Sequence, residues 1–185
     1  RRPVRRPDWP LLAERAAALL YPRRCPFCGT ILGPDVRQGN LCPDCRKEES
    51  RLAHEPPRLP GTEHTFYALS GALAAYYYSG AVREAILLCK RGGRPWYARE
   101  LADCMAVRIW GAVPAQRPGE RPANELFRAM PLYHCIVPVP PHQTWAGVPG
   151  LPLLLARRVG ILFQIPVVQG LRTARGTTQQ KALTR

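Results

Sequence analysis

Four of the seven cysteines fall into two Cys-x-x-Cys pairs, Cys25-Pro26-Phe27-Cys28 and Cys42-Pro43-Asp44-Cys45, with thirteen residues between them. Four thiolates so grouped satisfy one tetrahedral zinc ion. Gly29 follows the first pair, where a residue free to take positive φ lets backbone N–H groups turn toward the sulfurs. Pro26 and Pro43 fix φ on the way into each knuckle. The spacing is that of a zinc ribbon. Two disulfides are the other reading of the same residues, but they need an oxidising compartment and nothing else in the chain looks secreted. Zinc in a closed four-cysteine site has no position for water, so it holds a fold together and does no chemistry.

Arginine is the second chemical signal. Lys plus Arg number 27 against 13 Asp plus Glu, a formal net charge of +14, and most of the excess is Arg. The planar guanidinium fork suits phosphate better than a point charge, which favours a polyanionic partner, nucleic acid or a phosphorylated ligand. A coding bias toward arginine would explain the Arg-to-Lys ratio but not the net charge. Arg23 and Arg24 abut Cys25 and form a basic rim on the ribbon. Lys90, Arg91 and Arg94 stand at a helix end, where the dipole alone would also favour cations. Trp9, Tyr21 and Phe27 could stack on bases or pack between helix and ribbon.

The elements that must carry these groups follow from periodicity. Residues 9–20 have helical spacing, with Leu11, Leu12, Ala16, Leu19 and Leu20 on one side, and the helix is expected to pack on the zinc module. Four regions are expected: a basic tail and helix over 1–22, the ribbon over 23–51, a proline-rich linker over 52–66, and a larger domain over 67–185. Within the last, 72–78 is a β-type run, 81–90 an amphipathic helix ending at Gly92-Gly93, and 97–110 a second helix. Residues 135–140 read as a buried strand running into a proline-stiffened loop, followed by a helix over 153–159 and a strand at 165–168. Helices alternating with single buried strands indicate an α/β sheet. Cys89, Cys104 and Cys135 lie singly in apolar surroundings and are expected to be buried thiols.

Several of these segments, taken in order, resemble the ComF family, competence-associated proteins that join an N-terminal zinc ribbon to a phosphoribosyltransferase-like domain. The likeness is carried by the ribbon, Tyr78-Ser79-Gly80-Ala81-Val82-Arg83, Lys90-Arg91-Gly92-Gly93-Arg94, Val137-Pro138-Val139-Pro140-Pro141-His142, and Arg175-x-Thr177-x-x-Gln180-x-x-Leu183. It implies a Rossmann-like phosphoribosyltransferase-type domain, incomplete at its C-terminus. It also implies a role in uptake of single-stranded DNA during natural transformation, with phosphoribosyl diphosphate as a second ligand and a competence-machinery protein as a partner. Val139, Pro140, Pro141 and His142 would form the ligand loop, at a strand's C-terminal edge where open α/β sheets place ligands. Arg172, Arg175, Thr177 and Gln180 would form a mobile hood. The nucleic-acid contacts would be Arg23, Arg24, Lys90, Arg91 and Arg94. The alternatives are a phosphoribosyltransferase enzyme and a zinc-ribbon adaptor that binds another protein.

Two departures qualify the likeness. Residues 143–150 lack the basic segment that the family carries after its proline loop. The acidic loop for phosphoribosyl diphosphate would lie beyond Leu183, and no Asp or Glu follows Glu125. Magnesium, which selects oxygen ligands, is therefore expected only with that loop. The first residue is Arg1 and not Met, so the chain reads as a fragment with open ends. Glu14 and Arg15 interrupt any export signal in the basic N-terminal stretch, and no apolar run reaches membrane-spanning length. A cytoplasmic protein without membrane insertion is expected.

Overall fold

The fold is that of a computed structural model, which describes residues 9–33, 35–55, 58–59, 71–91, 94, 96–115, 133–141 and 149–172. Five helices account for most of the regular structure among them: α1 (Trp9–Leu20), α2 (Pro43–Leu52), α3 (Gly80–Arg91), α4 (Tyr97–Trp110) and α5 (Leu151–Phe163). The strands are short. β1 (Arg58–Leu59) pairs antiparallel with β2 (Ala72–Leu73), in the register Arg58 to Leu73 and Leu59 to Ala72. Isolated bridges join Arg24 to Ile31, Ala53 to Tyr76 and, in parallel, Ile136 to Val167.

The ribbon is built from a knuckle and a helix start. Cys25 N–H donates to Thr30 O at 2.8 Å and Leu32 N–H to Arg23 O at 2.9 Å, closing a tight hairpin around the first pair. Gly29 turns it at φ +79°, a conformation that a Cβ would penalise. The second pair opens α2. Cys42 is its N-cap, Pro43 fills the first helical turn and Asp44 sits where an acid favours the dipole. This helix was not expected, although Pro at a helix start followed by an acid is a legible signal.

Two apolar cores hold the described residues together. The first interleaves Cys25, Phe27, Leu32, Val36, Leu41 and Cys42 of the ribbon with Val82 and Ala85 of α3 and Leu101 and Cys104 of α4. The second packs Ala102 and Ala106 of α4 against Val159, Leu162 and Phe163 of α5, with Ile165 beyond. α4 therefore lies between the ribbon and α5. Its C-terminus is closed by Gly111 at φ +62°.

Several expectations need correcting. α1 does not cover the zinc module with its apolar side: Trp9, Leu12, Leu19 and Leu20 are exposed. The run over 72–78 is not one strand, because β2 stops at Leu73 and pairing resumes only at Tyr76. The later helix is longer than expected, and among the described residues around it only Ile136 and Val167 pair. Cys135 is exposed and Cys89 only half-buried, whereas Cys104 is buried as expected. Among the described residues the body is mixed and mostly helical, without a Rossmann-type sheet.

A four-cysteine metal centre and its supports

The Sγ atoms of Cys25, Cys28, Cys42 and Cys45 all lie within 4.8 Å of one another, and those of Cys28 and Cys42 are 3.5 Å apart. Four sulfurs at about 2.3 Å from a zinc ion stand about 3.8 Å from each other at the corners of a tetrahedron. The quartet fits that figure. No disulfide joins any of the four cysteines. Zinc at this site would hold four thiolates and pin the hairpin to the start of α2. With all four corners taken by sulfur, it has no open position for a substrate.

The local electrostatics differ among the thiols: burial pushes those of Cys25 and Cys45 up from their ordinary value, whereas that of Cys28 comes down. Cys45 N–H points at Cys42 Sγ, 3.5 Å away, and both sit at the positive end of α2. Burial pushes the Cys28 thiol up, but hydrogen bonds with Thr30, Cys42 and Cys45 outweigh it and bring it down to about 7. Cys28 Sγ lies 3.3 Å from the Thr30 hydroxyl, which becomes the donor once the sulfur is ionised.

Two buried ion pairs tie the ribbon and α5 to α4. Arg23 Nε and Nη2 donate to the two oxygens of Glu100 at 2.9 and 3.0 Å, and Nη1 donates to Val36 O at 2.7 Å. Burial alone would lower this guanidinium's pKa; the bonds to Glu100 and the charges of Glu100 and Asp103 raise it above its ordinary value. On the neighbouring turn, Arg158 of α5 donates from Nε and Nη2 to Asp103 at 2.6 and 3.0 Å, and from Nη2 to Gln38 Oε1 at 3.0 Å. Burial pushes the Asp103 carboxyl up, and the Arg158 bonds work against that.

Sequence reasoning missed this set. The periodicity of residues 97–110 does not single out Glu100 and Asp103, whose i,i+3 spacing puts them one turn apart beside buried Leu101 and Cys104. Arg23 was expected on a basic rim; its fork is instead held by Glu100 and two carbonyls of the ribbon. Phe27 packs, meeting Tyr76 edge to face at 5.6 Å.

The other expected contacts divide. Arg24 is exposed, with Nη1 donating to Gly29 O at 3.2 Å. A Cβ on Gly29 would stand 3.2 Å from the Tyr97 hydroxyl, so the start of α4 lies against the first knuckle. The Arg94 guanidinium lies 5.9 Å from the Tyr97 ring centre. Trp96 is 57% exposed and meets Tyr97 edge to face at 6.3 Å. Arg24, Arg94 and Trp96 thus gather around Gly29 and Tyr97. Lys90 is exposed on the last turn of α3, and Arg91 closes that helix. Val139, Pro140 and Pro141 follow the paired Ile136, with Val139 68% exposed, and Arg172 is exposed after Val167. His142, Arg175, Thr177 and Gln180 lie outside the described residues.

No helix among the described residues is long and apolar enough to cross a membrane. Residues 16–57 match the family model of the double zinc ribbon domain. The matched stretch holds four cysteines, enough for one zinc ion. No curated protein and no solved structure matches the chain. The N-terminal part of the chain is a zinc ribbon, with four cysteines placed to bind a metal ion.

Proposed function

We propose that the chain is a ComF-like protein that handles single-stranded DNA, with zinc in a purely structural role. The observation that carries this reading is the cluster of Arg24 and Arg94 around Gly29 and Tyr97 in a chain of net charge +14. Cations held on a rigid knuckle attract phosphates without reading sequence, and each phosphate neutralised releases counterions. Lys90, exposed on the last turn of α3, would extend the surface. The test is fluorescence anisotropy with labelled oligodeoxythymidine across a salt series. Binding should weaken steeply with salt, and Arg24→Gln with Arg94→Gln should flatten the log–log slope by about two units. Binding indifferent to salt would sink the reading.

The competence role, the cytoplasmic setting and a competence-machinery partner rest on the resemblance. A phosphoribosyltransferase-like domain draws support from the parallel pairing of Ile136 with Val167. Ile136 N–H donates to Pro166 O at 2.9 Å and Val168 N–H to Ile136 O at 2.9 Å, on either side of α5. A parallel bridge closed over a helix has the handedness-bearing connection of the βαβ unit of such domains, and Val139 to Pro141 follow its first bridged residue. Phosphoribosyl diphosphate with magnesium would be the ligand there. Calorimetry with that compound, with and without magnesium, tests the idea, and absence of heat in both would count against it. The adaptor reading draws on the exposed apolar residues of α1.

A further inference from the structure

We propose that Trp96 is a base-stacking platform that makes this surface prefer single-stranded to duplex DNA; the inference rests on the nucleic-acid reading above. A tryptophan 57% exposed on an otherwise packed helix start is an unusual use of the largest apolar side chain. Trp96 precedes α4, the helix shared by both cores, and its neighbour Tyr97 is 3% exposed and lodged against the knuckle. The indole is therefore carried on a rigid base, and little freedom is lost when a base lands on it. Arg94 faces the Tyr97 ring and Arg24 the Gly29 carbonyl, so both cations belong to the same meeting of knuckle and helix start that carries the indole.

Stacking and charge do different work here. Every base has a π-face, so an aromatic platform accepts a flexible strand of any sequence. In a duplex those faces are already stacked on one another, and only edges and phosphates remain to be met. The arginines serve both forms, and Trp96 serves the single strand. Trp9 and Tyr21 are also exposed, on and just after α1, but no cation is seen against either ring among the described residues.

The experiment compares Trp96→Ala, Trp96→Phe and Arg24→Gln with the unaltered zinc-loaded chain, on oligodeoxythymidine of about 16 nucleotides and on a duplex of equal length. Trp96→Ala should weaken single-strand binding about tenfold, leave duplex binding within about twofold and keep the salt slope. Trp96→Phe should recover part of the loss. Quenching of indole fluorescence by the single strand should shrink in Trp96→Phe, since Trp9, Trp110 and Trp145 remain. Arg24→Gln should flatten the slope on both forms. If the slope responds to Arg24→Gln while Trp96→Ala changes nothing, or weakens both forms equally, the stacking role falls and the nucleic-acid reading stands. If the unaltered chain binds neither form, both fall.

Discussion

Arg158 of α5 holds Asp103 of α4 through two parallel hydrogen bonds, and its Nη2 also reaches Gln38 in the ribbon turn at 3.0 Å. Asp103 is fully buried, and burial favours its neutral form, so the bonds from Arg158 are the main support of its charge. Arg158→Ala should cost about 3–5 kcal/mol, because the partner is left charged and dry. Arg158→Met with Asp103→Leu should recover much of that, since an apolar pair removes the desolvation penalty along with the attraction. Urea denaturation of the three variants measures both figures. Equal loss in the single and double variants would mean that the contact to Gln38 matters more than the ion pair.

Adjacent arginines should behave oppositely. Arg23 has a side chain 14% exposed and bonded to Glu100, whereas Arg24 faces solvent. Arg23→Gln should lower stability by on the order of 3 kcal/mol and leave the salt slope of DNA binding unchanged. Arg24→Gln should leave stability within about 0.5 kcal/mol and lower the slope by about one unit. Thermal melts and salt titrations on the same preparations separate the two. A slope that falls with Arg23→Gln at unchanged stability would put that side chain back on the surface.

Local signals explain why part of this molecule was legible in its sequence. The cysteine spacing required a metal site, and Gly29 required a turn; both are short-range, with every determinant inside a few residues. The helices 80–91 and 97–110 carry their own periodicity and stops. What escaped is non-local. Arg23 and Glu100 are 77 residues apart, Gln38 and Arg158 are 120 apart, and nothing in either neighbourhood marks a charge as buried. Periodicity says nothing of Glu100 and Asp103 because it describes a single apolar face of a helix. α4 has two, one against the ribbon and one against α5.

Zinc should stabilise more than the ribbon. Cys25 and Cys42 share one core with Val82, Ala85, Leu101 and Cys104, so the metal ligands and the helices have no apolar boundary between them. Cys42→Ser should abolish zinc binding, measured as about one ion per chain in the unaltered protein, and should broaden or lower the whole melting transition. Ligand thiols must lose their protons to bind, so the zinc retained against a chelator should fall as pH is lowered. A variant that loses zinc yet melts as before in its helices would show that the ribbon folds apart from the body.

Two glycines test how closely the ribbon turn approaches α4. Gly39 has φ +80°, and a Cβ there would meet Val107 Cγ2 at a separation no packed atoms tolerate and the Asp103 carbonyl at 3.1 Å. Gly111 has φ +62° with nothing within 4 Å. Gly111→Ala should cost roughly 1–2 kcal/mol, the left-handed penalty alone. Gly39→Ala carries the same penalty plus overpacking and should cost roughly 1–3 kcal/mol more. Chemical denaturation of each variant gives the difference, and equal costs would mean that the turn can lift away from α4 freely.

The three cysteines outside the metal site should react in an order set by exposure and burial. Cys135 is exposed and should be alkylated first by iodoacetamide in the zinc-loaded protein. Burial raises the Cys89 thiol to about 11, so only about one in a thousand is ionised at pH 8. Its rate should climb about tenfold for each unit of pH until that value is reached, because the thiolate is the nucleophile. Cys104 is fully enclosed, its thiol pushed well up by burial and by the nearby Glu100 and Asp103 carboxylates, and it should stay unmodified while the fold holds. Peptide mass spectrometry after timed quenching gives each rate, and adding a chelator should bring Cys25, Cys28, Cys42 and Cys45 into the modified set. Early labelling of Cys104 in the zinc-loaded form would show that the shared core opens without loss of the metal.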